Sequence, residues 1–151
     1  MTFVRILGTV GLAALLSAGT LVGARAQMAM DPIETRQAGQ DLLAGDFGGI
    51  QAVVALKGDV SKLENPAKAM ARWIRQFPSQ FPKGSDTGHG TKALPAIWTD
   101  FAGFTKAAED FAVASDKLAE LAKAGDAAAL PAQLKVVGDA CGACHRTYRA
   151  R

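Results

Sequence analysis

Apolar residues recur at alternating steps of three and four over four stretches of this chain, which is the spacing of one face of an α-helix. The first stretch opens on Asp31, Pro32 and Glu34, a typical helix start with an N-cap, a proline at the first helical position and an N3 glutamate able to reach back to the cap. It predicts a helix to about Lys57-Gly58. Its inner face comprises Ile33, Arg36, Gln40, Leu43, Phe47, Ile50 and Val54.

Three further helices are predicted, from about Asn65-Pro66 to just before Pro78, from about Asp100 to Ala124-Gly125, and from about Pro131 towards the C-terminus. The stretch 78–95 is rich in proline, glycine and serine, which predicts a loop packed over one end of the molecule. No segment alternates as a strand does, so the fold class is all-α, an antiparallel up-down-up-down four-helix bundle. The inner faces of the three helices are Ala67, Met70, Ile74 and Phe77; Phe101, Phe104, Ala108, Phe111, Ser115, Leu118 and Ala122; and Leu134, Val137, Cys141, Cys144 and Tyr148.

The chain begins with features of a secretory signal peptide. Arg5 precedes an apolar stretch over 6–22, and Ala24-Arg25-Ala26 is a small-x-small cleavage pattern. Glycines and a serine interrupt the apolar stretch and no stop-transfer pattern follows, so cleavage after Ala26 is expected rather than a retained anchor. Residues 27–151 then form one exported domain, located in the periplasm.

Charge excludes one class of partner. The 17 basic residues include Arg5 and Arg25, so 15 basic residues face 14 acidic ones in the mature chain, a net charge of +1. Because lysine and arginine are scattered among acids, with no basic stripe, nucleic-acid binding is not expected.

Two polar residues interrupt the apolar face of the first helix. Arg36 and Gln40 lie close to its N-terminus, whereas Cys141 and Cys144 lie close to the C-terminus of the last helix. In an up-down-up-down bundle these two ends are neighbours. Burial of arginine and glutamine costs several kcal/mol without partners, so a polar or charged ligand is expected to meet them.

The motif Cys141-Gly142-Ala143-Cys144-His145 is the signature of covalent haem attachment, in which two thiols add to the porphyrin vinyl groups and the adjacent imidazole ligates iron. Cysteines at i and i+3 of a helix strain a disulfide. A structural zinc needs four ligands, and His89 is the one other histidine. A thiol-disulfide redox motif is the runner-up reading, although such motifs lie at a helix start after a strand.

The sequence resembles the class II c-type cytochromes, the cytochrome c prime family, over essentially all of the mature chain. The segments that carry the resemblance are Arg36-Gln37, Phe81-Pro82-Lys83-Gly84-Ser85, Pro95-Ala96-Ile97-Trp98-Thr99-Asp100, and the haem motif followed by Tyr148-Arg149. The resemblance implies one covalent haem on Cys141 and Cys144, with His145 as the proximal iron ligand. It also implies that Arg36 lies near a haem propionate and that Arg149 lies close to the proximal face.

The sequence departs from the family's low-spin electron carriers at one position. Those members have Arg-Gln-x-x-Met and use the methionine as sixth iron ligand, whereas this chain has Gln40 there. An open or weakly held sixth coordination position of the iron is therefore expected, unless Met28 or Met30 acts as the sixth ligand. Met70 is expected in the core. We predict a one-electron carrier, with binding of nitric oxide or carbon monoxide as the alternative. The resemblance also suggests a homodimer through the first helices.

A catalytic role ranks third, because no carboxylate pair or Ser-His-Asp set stands out in the sequence. The expected partners are redox proteins or small gases, with no membrane insertion after signal cleavage.

Overall fold

The computed structural model describes residues 30–151, so the predicted signal peptide and Met28 lie outside the described residues. Five helices follow in order: α1 (Pro32–Ala55), α2 (Glu64–Gln76), the short α3 (Ala96–Thr99), α4 (Phe101–Lys123) and α5 (Leu130–Tyr148). Between residues 30 and 151 the only β-type pairing is an isolated bridge that joins Ala93 to Arg149. Within the same range, no helix combines the length and apolar character that crossing a membrane requires. The predicted helical class is confirmed.

The start of α1 confirms one half of the predicted cap and corrects the other. Oδ1 of Asp31 accepts hydrogen bonds from the backbone N–H of Ile33 at 2.7 Å and of Glu34 at 3.2 Å, and Pro32 occupies the first turn. The Glu34 carboxylate does not reach back to the cap, because its Oε1 lies 3.2 Å from Nδ1 of His89. The Glu34 side chain thus contacts His89, which lies 55 positions away in sequence.

The connection between α2 and α4 contains more regular structure than a proline- and glycine-rich loop predicts. A 3₁₀ turn (Phe77–Gln80) continues α2, and α3 precedes α4. Nε1 of Trp98 donates to the carbonyl of Phe81 at 3.1 Å, which holds the loop over the end of the bundle as predicted. Another 3₁₀ turn (Val60–Leu63) leads into α2.

The fourth predicted helix begins one residue earlier than expected, with Pro131 in its first turn, where the missing N–H costs nothing. The third inner face is wrong at one position, because Phe101 is 44% exposed. It is the first residue of α4 and lies at the end of the bundle, beyond the point where neighbouring helices cover the apolar face. The other predicted inner residues of α4 are buried.

The packing of the helices leaves one seam open. α4 packs along α2 and α5, and α1 packs against α2, whereas α1 and α5 touch at few points. Gly39 allows the close approach of α1 to α2, since a Cβ there would overlap the Trp73 indole. The weakly packed seam between α1 and α5 has room for a ligand.

Aromatic rings close the bundle at the end where the seam opens. The Phe81 ring lies edge-on at 5.0 Å from Phe77 and 4.9 Å from Phe104, and Phe104 lies 5.2 Å from Tyr148. All four rings are buried. Such edge-to-face pairs stabilise a core beyond the area that they bury, so well-packed aromatic rings line this end of the seam.

Candidate functional site

A cavity of about 650 Å³ occupies the seam between α1 and α5. Its volume lies within the range of pockets that enclose small molecules and cofactors. The structure brings all seven residues predicted from the sequence to its walls. These residues are Arg36, Gln37, Gln40, Cys141, Cys144, His145 and Arg149.

One wall is the last part of α5. Cys141 and Cys144 lie at i and i+3 and are both partly buried, while His145 one turn after Cys141 is more exposed. Burial raises the pKa of Cys141, and burial together with the neighbouring Cys141 raises the pKa of Cys144 to about 11. Burial, followed by the charge of Arg149, lowers the pKa of His145. At neutral pH this wall therefore presents two protonated thiols and a neutral imidazole.

This donor set fits a covalently attached haem. Two thiols three residues apart can each form a thioether, and a neutral imidazole has the lone pair that an iron ligand needs. The remaining lining is largely apolar and aromatic, as a porphyrin ring requires. It includes Phe47, Phe77, Phe81, Phe104 and Phe111.

Arg36 on α1 is the most buried cation of the described chain, at 3% exposure. Its Nη1 donates to the Gln80 carbonyl at 3.1 Å and to Oγ of Ser85 at 2.9 Å. Its Nη2 donates to the Ser85 carbonyl at 2.6 Å and to Oγ1 of Thr91 at 2.8 Å. The guanidinium also lies 4.4 Å from the centre of the Phe81 ring.

Burial lowers the pKa of Arg36, although the Asp31 carboxylate opposes this shift. Arginine nevertheless stays protonated in proteins. The side chain that interrupts the apolar face of α1 therefore organises the 80–91 loop and carries a positive charge to the cavity wall.

The α1 side of the cavity faces the cysteine wall. Gln40, Leu43 and Phe47 line it, while Gln37 donates from Nε2 to the His89 carbonyl at 3.1 Å. Neither methionine of the described chain lines this cavity: Met70 is 1% exposed in the core, as predicted, and Met30 is 77% exposed. The α1 side thus offers side-chain amides, the Asp41 carboxylate and apolar groups, and no thioether from the described methionines.

His89 has a structural role that sequence analysis missed. Its Nε2 lies 3.4 Å from Oδ2 of Asp31, and its Nδ1 lies 3.2 Å from Oε1 of Glu34. The backbone around it is left-handed, with φ of +103° at Gly88, +46° at His89 and +64° at Gly90. Local sequence carries the glycine signal for this turn, but the pairing with α1 depends on the tertiary fold.

The geometry disfavours both rivals of haem attachment. A zinc site would need His89 near the cysteines, whereas His89 faces the carboxylates at the start of α1. A redox thiol has a lowered pKa, typically at a helix N-terminus. Here burial raises the pKa of both cysteines, which lie towards the C-terminal end of α5.

Comparison with known proteins gives a consistent result. The family model described as cytochrome C' matches residues 31–149. Cytochrome c' of Rubrivivax gelatinosus is 38% identical over 123 residues, covering 80% of this chain and 95% of that protein.

Two solved structures are similar to this chain. One is a cytochrome c' with an unusual ligand-controlled dimer dissociation, at a TM-score of 0.74 and 31% identity, covering 80% of this chain and 95% of that one. The other is the nitric oxide complex of a cytochrome c prime variant from Alcaligenes xylosoxidans, at a TM-score of 0.71 and 30% identity, covering 80% of this chain and 94% of that one.

Proposed function

The chain belongs to the cytochrome c' family, and we propose that it transfers single electrons through a haem held by Cys141, Cys144 and His145. It is a monohaem c-type cytochrome. The observation that carries the assignment of residues is the placement of two thiols and a neutral imidazole on one wall of a haem-sized cavity. A bound haem supplies an iron that cycles between the ferric and ferrous states.

The other residues of the cavity hold and screen the haem in this proposal. Arg36 places a buried positive charge at the wall, where it suits a carboxylate of the ligand. Gln37 and Arg36 both hold the 80–91 loop against α1. Arg149 lies close to His145, and its positive charge disfavours protonation of the imidazole. This helps keep the nitrogen lone pair free for iron.

Binding of nitric oxide or carbon monoxide is the second candidate function. The specific observation in its favour is the lining of Gln40, Leu43 and Phe47 opposite the cysteine wall, without a thioether from the described methionines. An amide oxygen is a weak iron ligand, so an iron held by His145 would keep its other axial position open or loosely held. The similarity to the nitric oxide complex from Alcaligenes xylosoxidans supports this candidate.

A difference spectrum of the reduced holoprotein with and without carbon monoxide tests the site. A shift of the Soret band on addition of carbon monoxide is expected at an open position. The absence of a shift, together with a methionine-to-iron charge-transfer band in the ferric protein, would contradict an open site. Oxidation of the ferrous protein by ferricyanide tests electron transfer separately.

We also propose export to the periplasm, with cleavage after Ala26. The support is the basic, apolar and small-x-small order of the first 26 residues. Haem attachment to thiols outside the cytoplasm is consistent with that route. Mass spectrometry of the purified haem protein should find Gln27 at the N-terminus; an intact Met1 would contradict cleavage.

A homodimer through α1 is the proposed assembly. Leu42 on α1 is 74% exposed and Leu56, the residue after its last turn, is 82% exposed; Leu42 lies with Gly45 and Gly49 on the side of α1 away from the core. Large exposed apolar side chains beside small residues suit helix packing against a second copy. A related cytochrome c' undergoes ligand-controlled dimer dissociation, which supports assembly as a dimer in this chain.

A further inference from the structure

Four cations gather where α5 ends. Arg146, Arg149 and Arg151 line a second cavity of about 540 Å³ together with His145. Lys92 lies beside Arg149, because both line the candidate haem cavity and the Lys92 carbonyl accepts a 2.8 Å hydrogen bond from the backbone N–H of Ala150. We call these four residues, Lys92, Arg146, Arg149 and Arg151, the basic C-terminal surface.

The charges of the basic C-terminal surface are uncompensated within the described residues. All four side chains are exposed, and none forms an ion pair with an aspartate or glutamate of residues 30–151. Six other exposed or half-exposed cations are paired in this way. They are Lys68, Arg75, Lys106, Lys117, Lys123 and Lys135.

The net charge shows how local this surface is. Residues 30–151 carry 15 basic and 14 acidic side chains, a net charge of +1. Four positive charges on one surface therefore leave the remainder of the described chain at −3. A net charge of +1 spread evenly over the surface would orient no partner. The observed distribution instead places a positive potential at one end of the molecule.

The basic C-terminal surface adjoins the candidate haem site. His145 and Arg149 line both cavities. The absence of a side chain at Gly142 leaves room for the Arg146 guanidinium, since a Cβ there would lie 3.1 Å from its Nη1. A partner bound at this surface would therefore lie next to the proposed iron ligand, where the path for an electron is short.

We propose that the basic C-terminal surface docks an acidic redox protein, one that displays carboxylates around its own redox centre. The proposal rests on the electron-transfer function proposed above. In the complex a bound haem would supply one electron from its ferrous iron to the oxidised partner, with no bond formed or broken. Complementary charge raises association rates by about tenfold to a thousandfold, and salt suppresses the effect.

Stopped-flow oxidation of the ferrous holoprotein tests this surface with two probes of opposite charge. Ferricyanide represents an anionic partner and the tris(phenanthroline)cobalt(III) cation is its opposite. Between about 10 mM and about 150 mM ionic strength the Debye length falls from about 30 Å to about 8 Å. The rate constant with ferricyanide should fall severalfold over this range, and the rate constant with the cobalt complex should rise.

Two double variants of equal net charge locate the effect. Arg146→Gln with Arg151→Gln removes two charges from the basic C-terminal surface and leaves Arg149 beside His145 intact. Lys57→Gln with Lys62→Gln removes two exposed, unpaired charges of the described chain near the opposite end of α1. At low salt the arginine variant should react with ferricyanide about threefold to tenfold more slowly than wild type, while the lysine variant should match wild type.

Retention of the holoprotein on a cation exchanger gives a readout that does not depend on electron transfer. The arginine variant should elute at lower salt than the lysine variant, although their net charges are equal. Equal ferricyanide rates in the two double variants would overturn the docking proposal while leaving the electron-transfer function intact. Failure of both reagents to oxidise the ferrous protein would overturn that function and, with it, the redox partner.

An anionic membrane is the other class of partner that a basic surface could meet. Co-sedimentation of the holoprotein with phosphatidylglycerol vesicles, lost in the arginine variant and kept in the lysine variant, would assign the surface to lipid and overturn the proposal.

Discussion

The Tyr148 hydroxyl donates a 2.8 Å hydrogen bond to Oδ2 of Asp100, whose Oδ1 accepts the backbone N–H of Gly103 at 3.1 Å. This pair joins the last turn of α5, just after the haem motif, to the N-cap of α4. Burial, together with the hydrogen bond to Asp100, raises the pKa of Tyr148 above its ordinary value of 10.0. The tyrosine thus remains a donor over the physiological range.

We predict that Tyr148→Phe lowers the melting temperature by roughly 2–5 °C at pH 7, because the Asp100 carboxylate loses a donor. Since the folded pKa is raised, this contribution is fully present below about pH 10, the unfolded value, and is lost as pH rises through the folded pKa. Thermal melts from neutral to strongly alkaline pH should show the two proteins converge. Thr147→Val, at an exposed neighbour, is the control. A difference in melting temperature between wild type and Tyr148→Phe that does not change with pH would contradict the assigned hydrogen bond.

Arg36 supplies the second prediction. Arg36→Met should lower the free energy of unfolding by about 2–4 kcal/mol, because buried oxygens of Ser85 and Gln80 lose their donors. Arg36→Lys should fall between this variant and wild type, since one ammonium cannot reproduce the fork of the guanidinium.

Urea unfolding measures both Arg36 variants, with Arg72→Met at an exposed cation of α2 as the control. Equal stability of Arg36→Lys and wild type would show that the loop needs the charge alone and not the geometry of the guanidinium.

Gln40 is the position that decides the sixth ligand in our proposal. Gln40→Met should convert the ferric protein from high-spin to low-spin and reduce its ferrous affinity for carbon monoxide by at least about tenfold, because the gas must then displace a thioether. Gln40→Leu, of similar size but without a ligand atom, should remain high-spin. Optical titration with carbon monoxide measures the affinity of both variants. An identical affinity in the two would show that residue 40 does not lie at the sixth coordination position of the iron.

The proposed dimer predicts a change of assembly without a change of fold. Leu42→Glu should shift the sedimentation coefficient from dimer to monomer, because the charge lies on the exposed face of α1 and would be buried in the interface. Val113→Glu on α4, at a valine that is 57% exposed, is the matched control. A dimer that persists in Leu42→Glu but dissociates in Val113→Glu would show that the interface lies on α4 and not on α1.

Several features of the helices were predictable because they depend on neighbours in sequence. The cap at Asp31 and the proline in the first turn of α5 involve backbone groups within four residues. The same applies to the spacing of Cys141, Cys144 and His145, which periodicity alone places on one side of a helix. Phe101 escaped prediction because periodicity cannot tell where along α4 the neighbouring helices stop covering its apolar face.

The helices, most positions of their apolar faces and the haem motif thus follow from the sequence, since repeat spacing and local hydrogen bonding govern these features. The partners of Arg36, Glu34 and His89 depend on the tertiary structure, because they lie 44 to 58 positions away in sequence. The fold also brings Lys92 beside the end of α5. Pairing of distant polar groups depends on which helix ends and loops come together in the fold, and local sequence patterns do not predict this.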